Sequence, residues 1–88
     1  MMCSYEYNFA MALLRKLKSR IVGRIYVDVT SDDELFVKIE NNDFTVSYSF
    51  GNFSTRFLNG WTTETAVYEV IQQYTDTIYK RTKRKYFW

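Results

Sequence analysis

RIYVDVTSDDELFVKIE, residues 24–40, alternates apolar and polar side chains on both sides of an acidic turn, and that alternation decides the fold. In an extended chain Ile25, Val27 and Val29 fall on one side, and Arg24, Tyr26 and Asp28 on the other. After residues 30–34 the pattern resumes, with Leu35, Val37 and Ile39 inward and Phe36, Lys38 and Glu40 outward. If Val29 pairs with Leu35, Arg24 stands opposite Glu40 and Tyr26 opposite Lys38, both favourable cross-strand pairs.

Downstream, Asn41-Asn42 suits a two-residue turn whose residues adopt positive φ, which would set Glu40 against Asp43 and Ile39 against Phe44. A third strand then points Phe44, Val46, Tyr48 and Phe50 inward and Thr45, Ser47 and Ser49 outward. Gly51-Asn52 is a second hairpin signal that would place Phe50 beside Phe53 and Val46 beside Phe57. Residues 53–58 therefore read either as a fourth strand or as a loop leading into the last helix. Thr62 or Thr63 can cap that helix, with Glu64 on its positive end, and Val67, Val70, Ile71, Tyr74 and Ile78 form its apolar stripe.

Upstream, Phe9, Ala10, Leu13, Leu14 and Leu17 are spaced as one stripe of a helix. Ser4 is placed to cap it, and Arg15, Lys16 and Lys18 lie at its C-terminal end, where cations oppose the helix dipole favourably. The expected class is α+β: a helix, an antiparallel meander of three or four strands and a second helix. Both helices pack on the single apolar sheet face. In this topology the last helix runs back up the sheet toward residues 30–34, where Lys80, Arg81, Lys83 and Arg84 can meet Asp32, Asp33 and Glu34. The basic ends of the two helices then lie at opposite poles.

The chain of 88 residues is expected to form one domain, residues 1–88, without proline or a linker. Its 17 aromatic residues, 2 Trp, 8 Tyr and 7 Phe, exceed what so small a core encloses, so some rings should reach the surface as contacts. The net charge of +2 is too small for polyanion binding by bulk electrostatics. Charge is segregated all the same: five cations lie between Arg15 and Arg24, five between Lys80 and Lys85, and six of the ten acids between Asp28 and Asp43.

Histidine is absent, which removes the usual neutral-pH base and the commonest metal ligand. The lone Cys3 cannot form an internal disulfide, and no glycine-rich phosphate loop is present. Asp32, Asp33 and Glu34 lack the spacing of a calcium loop. The chain is thus read as noncatalytic, without cofactor or metal, and cytoplasmic, because no apolar leader or membrane span is visible.

Two binding classes remain. A larger protein or nucleoprotein partner would be met by Asp32, Asp33 and Glu34, by Tyr86, Phe87 and Trp88, and by Tyr26 and Phe36 on the outer sheet face. The alternative is nucleic acid, bound by Lys80, Arg81, Lys83, Arg84 and Lys85 with stacking from the terminal rings. A homodimer through the sheet face or an edge strand is a further option. Membrane binding through five cations and three rings would be marginal.

The stretches VKIENNDFTVS and FLNGWTTE, with the chain's size and element order, resemble small phage-encoded proteins, including phage anti-CRISPR inhibitors of Cas9. The resemblance covers the middle half of the chain. It implies a noncatalytic protein that acts in the host cytoplasm on a larger host macromolecule. In that family acidic side chains occupy the DNA-reading pocket of the nuclease, a part that here would fall to Asp32, Asp33 and Glu34, with Asp28 nearby. Unlike those acidic inhibitors, this chain is slightly basic and ends in a cationic run.

Overall fold

The computed structural model describes residues 4–82. Helix α1 (Ser4–Lys18) precedes strands β1 (Arg24–Val29), β2 (Leu35–Glu40) and β3 (Thr45–Phe50), followed by helices α2 (Phe53–Leu58) and α3 (Thr63–Thr82). The strands form one antiparallel meander in the order β1-β2-β3. Val29 pairs with Leu35, Tyr26 with Lys38 and Arg24 with Glu40, as the alternation requires.

Ile25, Val29, Leu35, Val37, Ile39, Val46 and Phe50 are buried on one sheet face. Phe9, Leu13 and Leu17 of α1 and Ala66, Val67, Val70, Tyr74 and Ile78 of α3 join them in one apolar cluster, so both long helices cover that face. Among the described residues no helix lies over the opposite face: Arg24, Tyr26, Asp28, Thr45, Ser47 and Ser49 are exposed. Apolar burial on one side only is what a sheet of this period and composition can support.

The second turn differs from the expected one by a single step. Its central residues are Asn42 and Asp43, not Asn41 and Asn42. The Asn41 N–H donates to the Phe44 carbonyl at 3.0 Å, and the Asn41 side chain accepts from the amides of Asp43 and Phe44 at 2.8 and 2.9 Å. Glu40 therefore pairs with Thr45 and Ile39 with Val46, a two-residue change of register that keeps the same side chains inward. Neither central residue has positive φ. An Asn side chain that closes its own turn removes the need for that backbone geometry.

Residues 53–58 form a helix, neither a strand nor a loop. Asn52 turns the chain at φ 57°, ψ 47° and its side chain makes no cap. The cap comes from another turn. The Asp33 carbonyl accepts the Phe53 N–H at 2.8 Å, and its carboxylate accepts the Ser54 N–H at 3.1 and 3.2 Å and the Ser54 hydroxyl at 2.7 Å. A single-turn helix is too short to persist alone. This one is held by Asp33 at its start and by packing of Phe53 and Phe57, spaced four apart, against Phe9 and Tyr5.

With α2 in place of a fourth strand the chain never recrosses the sheet, and α3 runs opposite to the expected direction. Trp61, just before α3, lies 5.8 Å from the Phe50 ring and 5.3 Å from the Phe9 ring. Further along, the Asn41 amide donates to the Tyr74 hydroxyl at 3.0 Å and Phe44 lies 6.4 Å from the Tyr74 ring. The start of α3 is thus at the acidic-turn end of the sheet and its C-terminal half is at the other. Thr62 is the cap: Oγ1 accepts the Thr65 N–H at 3.3 Å, and the Thr62 N–H donates back to Thr65 Oγ1 at 3.0 Å.

Gly23, which joins α1 to β1, sits at φ 137°, and a Cβ there would lie 2.4 Å from the Glu40 carbonyl oxygen. Gly23→Ala should cost about 2 kcal/mol or more by strain plus backbone contact. Asp33, at φ 61°, combines a cap with a left-handed backbone. Asp33→Asn should stay within about 0.5 kcal/mol of the parent, Asp33→Gly should lose about 1 kcal/mol, and Asp33→Ala about 2 kcal/mol, because alanine loses the cap and strains the backbone. Urea unfolding of the set checks this order.

Candidate functional site

The bare sheet face presents Tyr26 and Phe36 as diagonal neighbours on adjacent strands, with Lys38 paired directly to Tyr26. The Lys38 ammonium lies 5.4 Å from the centre of the Tyr26 ring, a cation–π contact. Lys38 also lies 3.9 Å from Glu40, so Glu40 turns to its own strand instead of to Arg24, which faces it in the register. Ser47 and Ser49 continue the face across β3 with small polar side chains. Tyr26 remains 47 % exposed on the edge strand β1.

The acidic turn, by contrast, is mostly committed to the fold. Asp33 caps α2, and the Glu34 carboxylate accepts a hydrogen bond from the Ser49 hydroxyl on β3. Thr30 gathers the turn by accepting the amides of Asp32 and Glu34 at its hydroxyl, each at 3.3 Å. Of the three acids offered to a partner, only Asp32 is fully exposed. Beside them an open cleft of 720 Å³ is lined by Glu6, Asp28, Thr30, Asp33 and Ser54 among others. Among the described residues no group of His, Cys, Asp or Glu is placed to hold a metal ion.

The basic run does not meet this turn. Lys80 lies on α3 six residues beyond Tyr74 and makes no ion pair with Asp32, Asp33 or Glu34. The reversed course of α3 is the reason. The end of α1 lies instead beside the first half of α3, where Lys16, Ser19 and Arg20 share one cleft with Glu64, Val67, Tyr68 and Ile71. Lys83, Arg84, Lys85, Tyr86, Phe87 and Trp88 lie outside the described residues, as do the Arg81 side chain and Cys3.

Some of the aromatic excess does reach the surface, at Tyr7, Tyr68 and Tyr79 as well as Tyr26. Tyr68, 79 % exposed, lies beside Lys16, Ser19, Arg20 and Glu64 at the junction of α1 and α3. Periodicity alone does not single it out, because it falls on the polar stripe of α3. Here Lys16 contacts Glu64 at 2.6 Å, and this hydrogen bond, with the charge of Lys16 adding to it, holds the Glu64 carboxyl below its usual range. The contact favours the folded chain above the ordinary glutamate pKa, and its contribution disappears as pH falls through the lowered value.

A further polar set serves packing. Trp61 donates its indole N–H to Glu69 at 2.6 Å, and Arg56 lies 3.5 Å from the same carboxylate and 5.1 Å above the Trp61 ring. This pins α2 to α3. Among the described residues no helix is long and apolar enough to cross a membrane. No protein-family model, curated protein or solved structure matches the chain.

Tyr26 and Phe36 stand on the face that no helix covers, so they contribute little to the fold. Tyr26→Ser and Phe36→Ser should each change unfolding free energy by no more than about 1 kcal/mol, whereas Ile39→Ala on the opposite face should cost about 2–5 kcal/mol. Urea unfolding with unchanged m values would establish the contrast.

Proposed function

We propose that this chain is a noncatalytic interaction protein whose bare sheet face docks on a larger macromolecule and modulates or inhibits it. The observation that carries the reading is the uncovered face itself, where Tyr26 and Phe36 are set among Lys38, Asp28 and Ser47. Rigid rings on a flat strand scaffold give contact area at small entropic cost, and charges of both signs around them orient a protein partner. Arg24, Lys38, Asp28 and Glu40 balance on this face, which suits a protein surface better than a phosphate backbone. The likeness of VKIENNDFTVS and FLNGWTTE to small phage proteins supports a phage or mobile-element inhibitor, acting in the host cytoplasm, and makes Cas9 one nuclease to test.

A second reading draws on a specific observation. Lys18, Arg20 and Arg24 are exposed in succession from the end of α1 into β1, and Lys80, Arg81, Lys83, Arg84 and Lys85 form a second run in the sequence. Such cationic runs support nucleic-acid contact with strong salt dependence.

The two readings separate in one set of measurements. The full chain and its Tyr26→Ser/Phe36→Ser variant are used to capture partners from nuclease-treated host lysate. In parallel, both are titrated against single- and double-stranded nucleic acid at two salt concentrations. The docking reading expects a stoichiometric protein lost with the sheet-face variant, and only weak nucleic-acid binding. Nucleic-acid binding that falls steeply with salt, weakens with Arg20→Glu/Lys80→Glu and ignores the sheet-face variant would replace it with the second reading. In a Cas9 cleavage assay, inhibition by the parent but not by the sheet-face variant is the outcome expected of an anti-CRISPR role.

A further inference from the structure

We infer that the free edge of β1 pairs with the same strand of a second copy, across a two-fold axis at Tyr26, to make a six-stranded sheet. Among the described residues β1 has a neighbour on one side only, and β2 is that neighbour. The Thr30 N–H donates to the Glu34 carbonyl, extending the β1–β2 ladder, so the even residues of β1 bond to β2 and Ile25, Val27 and Val29 turn their backbone groups outward. Among the described residues no hydrogen bond reaches those outward groups. The edge has no proline, no bulge and no lysine in RIYVDV, and its two charges, Arg24 and Asp28, are of opposite sign.

The side chains select the partner and the register. Arg24 and Asp28 are exposed, and neither has an ion pair or side-chain hydrogen bond within the chain among the described residues. They flank Tyr26 symmetrically, so antiparallel pairing about Tyr26 places Arg24 of each copy opposite Asp28 of the other and Tyr26 opposite Tyr26. These three contacts are non-hydrogen-bonded pairs, where side chains of opposite strands approach most closely. Between them Ile25 and Val27 exchange backbone hydrogen bonds across the axis. A shift of the centre to Val27 would leave Arg24 against Thr30 and Tyr26 against Asp28, and a shift to Asp28 would set that carboxylate against its own copy. The edge is self-complementary in one register, which is what an isologous two-fold contact requires. Val27, inward-facing yet only half-buried, gains cover in the same step. The docking face proposed above is then doubled, with the Tyr26 pair at its centre.

The test is sedimentation equilibrium of the full chain over a wide concentration range, with amide hydrogen exchange at both ends of that range. The expected result is a dimer in which the Ile25 and Val27 amides exchange more slowly as concentration rises. Asp28→Lys, whose in-chain strand partner is the uncharged Phe36, should weaken the dimer about tenfold or more, because two attractive pairs become repulsive. Arg24→Asp/Asp28→Arg, which exchanges the charges, should recover most of that loss. Far-UV circular dichroism of each variant confirms its fold. A monomer at every concentration overturns the inference. So does a dimer that ignores Asp28→Lys and leaves the Ile25 and Val27 amides unprotected, since that dimer uses another surface such as the β3 edge.

Discussion

Three donors from the start of α2, two backbone amides and one hydroxyl, converge on Asp33, a residue twenty positions earlier in the chain. That clasp ties the first hairpin turn to the chain leaving β3. Without it residues 53–58 have no cap of their own, since Asn52 supplies none. With it they close one helical turn, and Phe53 and Phe57 meet Phe9, Tyr5 and Trp61 at the end of the core. The direction of α3 follows. Because the chain stays at the acidic-turn end after β3, the last helix can cover the sheet only by running toward Asn41.

The consequence for function is a division of labour between the two sides of the sheet. All helical cover goes to one face, where side chains from every long element share a single apolar cluster. The other face, together with the outer edges of β1 and β3, is left for contacts beyond the chain. A carboxylate that seems available in sequence can be spent on such a design. Asp33 is a helix cap and Glu34 a cross-strand hydrogen-bond partner, so the acidic turn offers a partner far less charge than its composition suggests.

What was legible in the sequence is the part governed by period. Alternation from Arg24 to Glu40 gives strand, turn and register together, because slipping by one residue would turn Ile25 and Val37 to solvent. The apolar stripes of α1 and α3 are legible for the same reason, and so is the place of Tyr26 and Phe36 on the outer sheet face, the first exposed and the second half-buried. The remainder depends on contacts distant in sequence or on local side-chain bonds. Whether 53–58 is strand or helix cannot be read from six residues in which Phe53 and Phe57 suit either period. The deciding cap belongs to another turn. The turn at 41–44 is decided by the Asn41 side chain, which accepts two backbone amides where the dipeptide alone suggests a turn centred one residue earlier. That one short element also decides the direction of α3, which reverses with it.

The account rests on one-sided cover of the sheet. Solvent paramagnetic relaxation, measured residue by residue along the three strands with a neutral soluble probe, addresses it directly. The side chains of Tyr26, Asp28, Lys38 and Ser47 should relax strongly, and those of Ile25, Val37, Ile39 and Val46 hardly at all, alternating along every strand. Equal protection of both sets would mean that another part of the chain lies across the second face, and the docking surface described here would not exist.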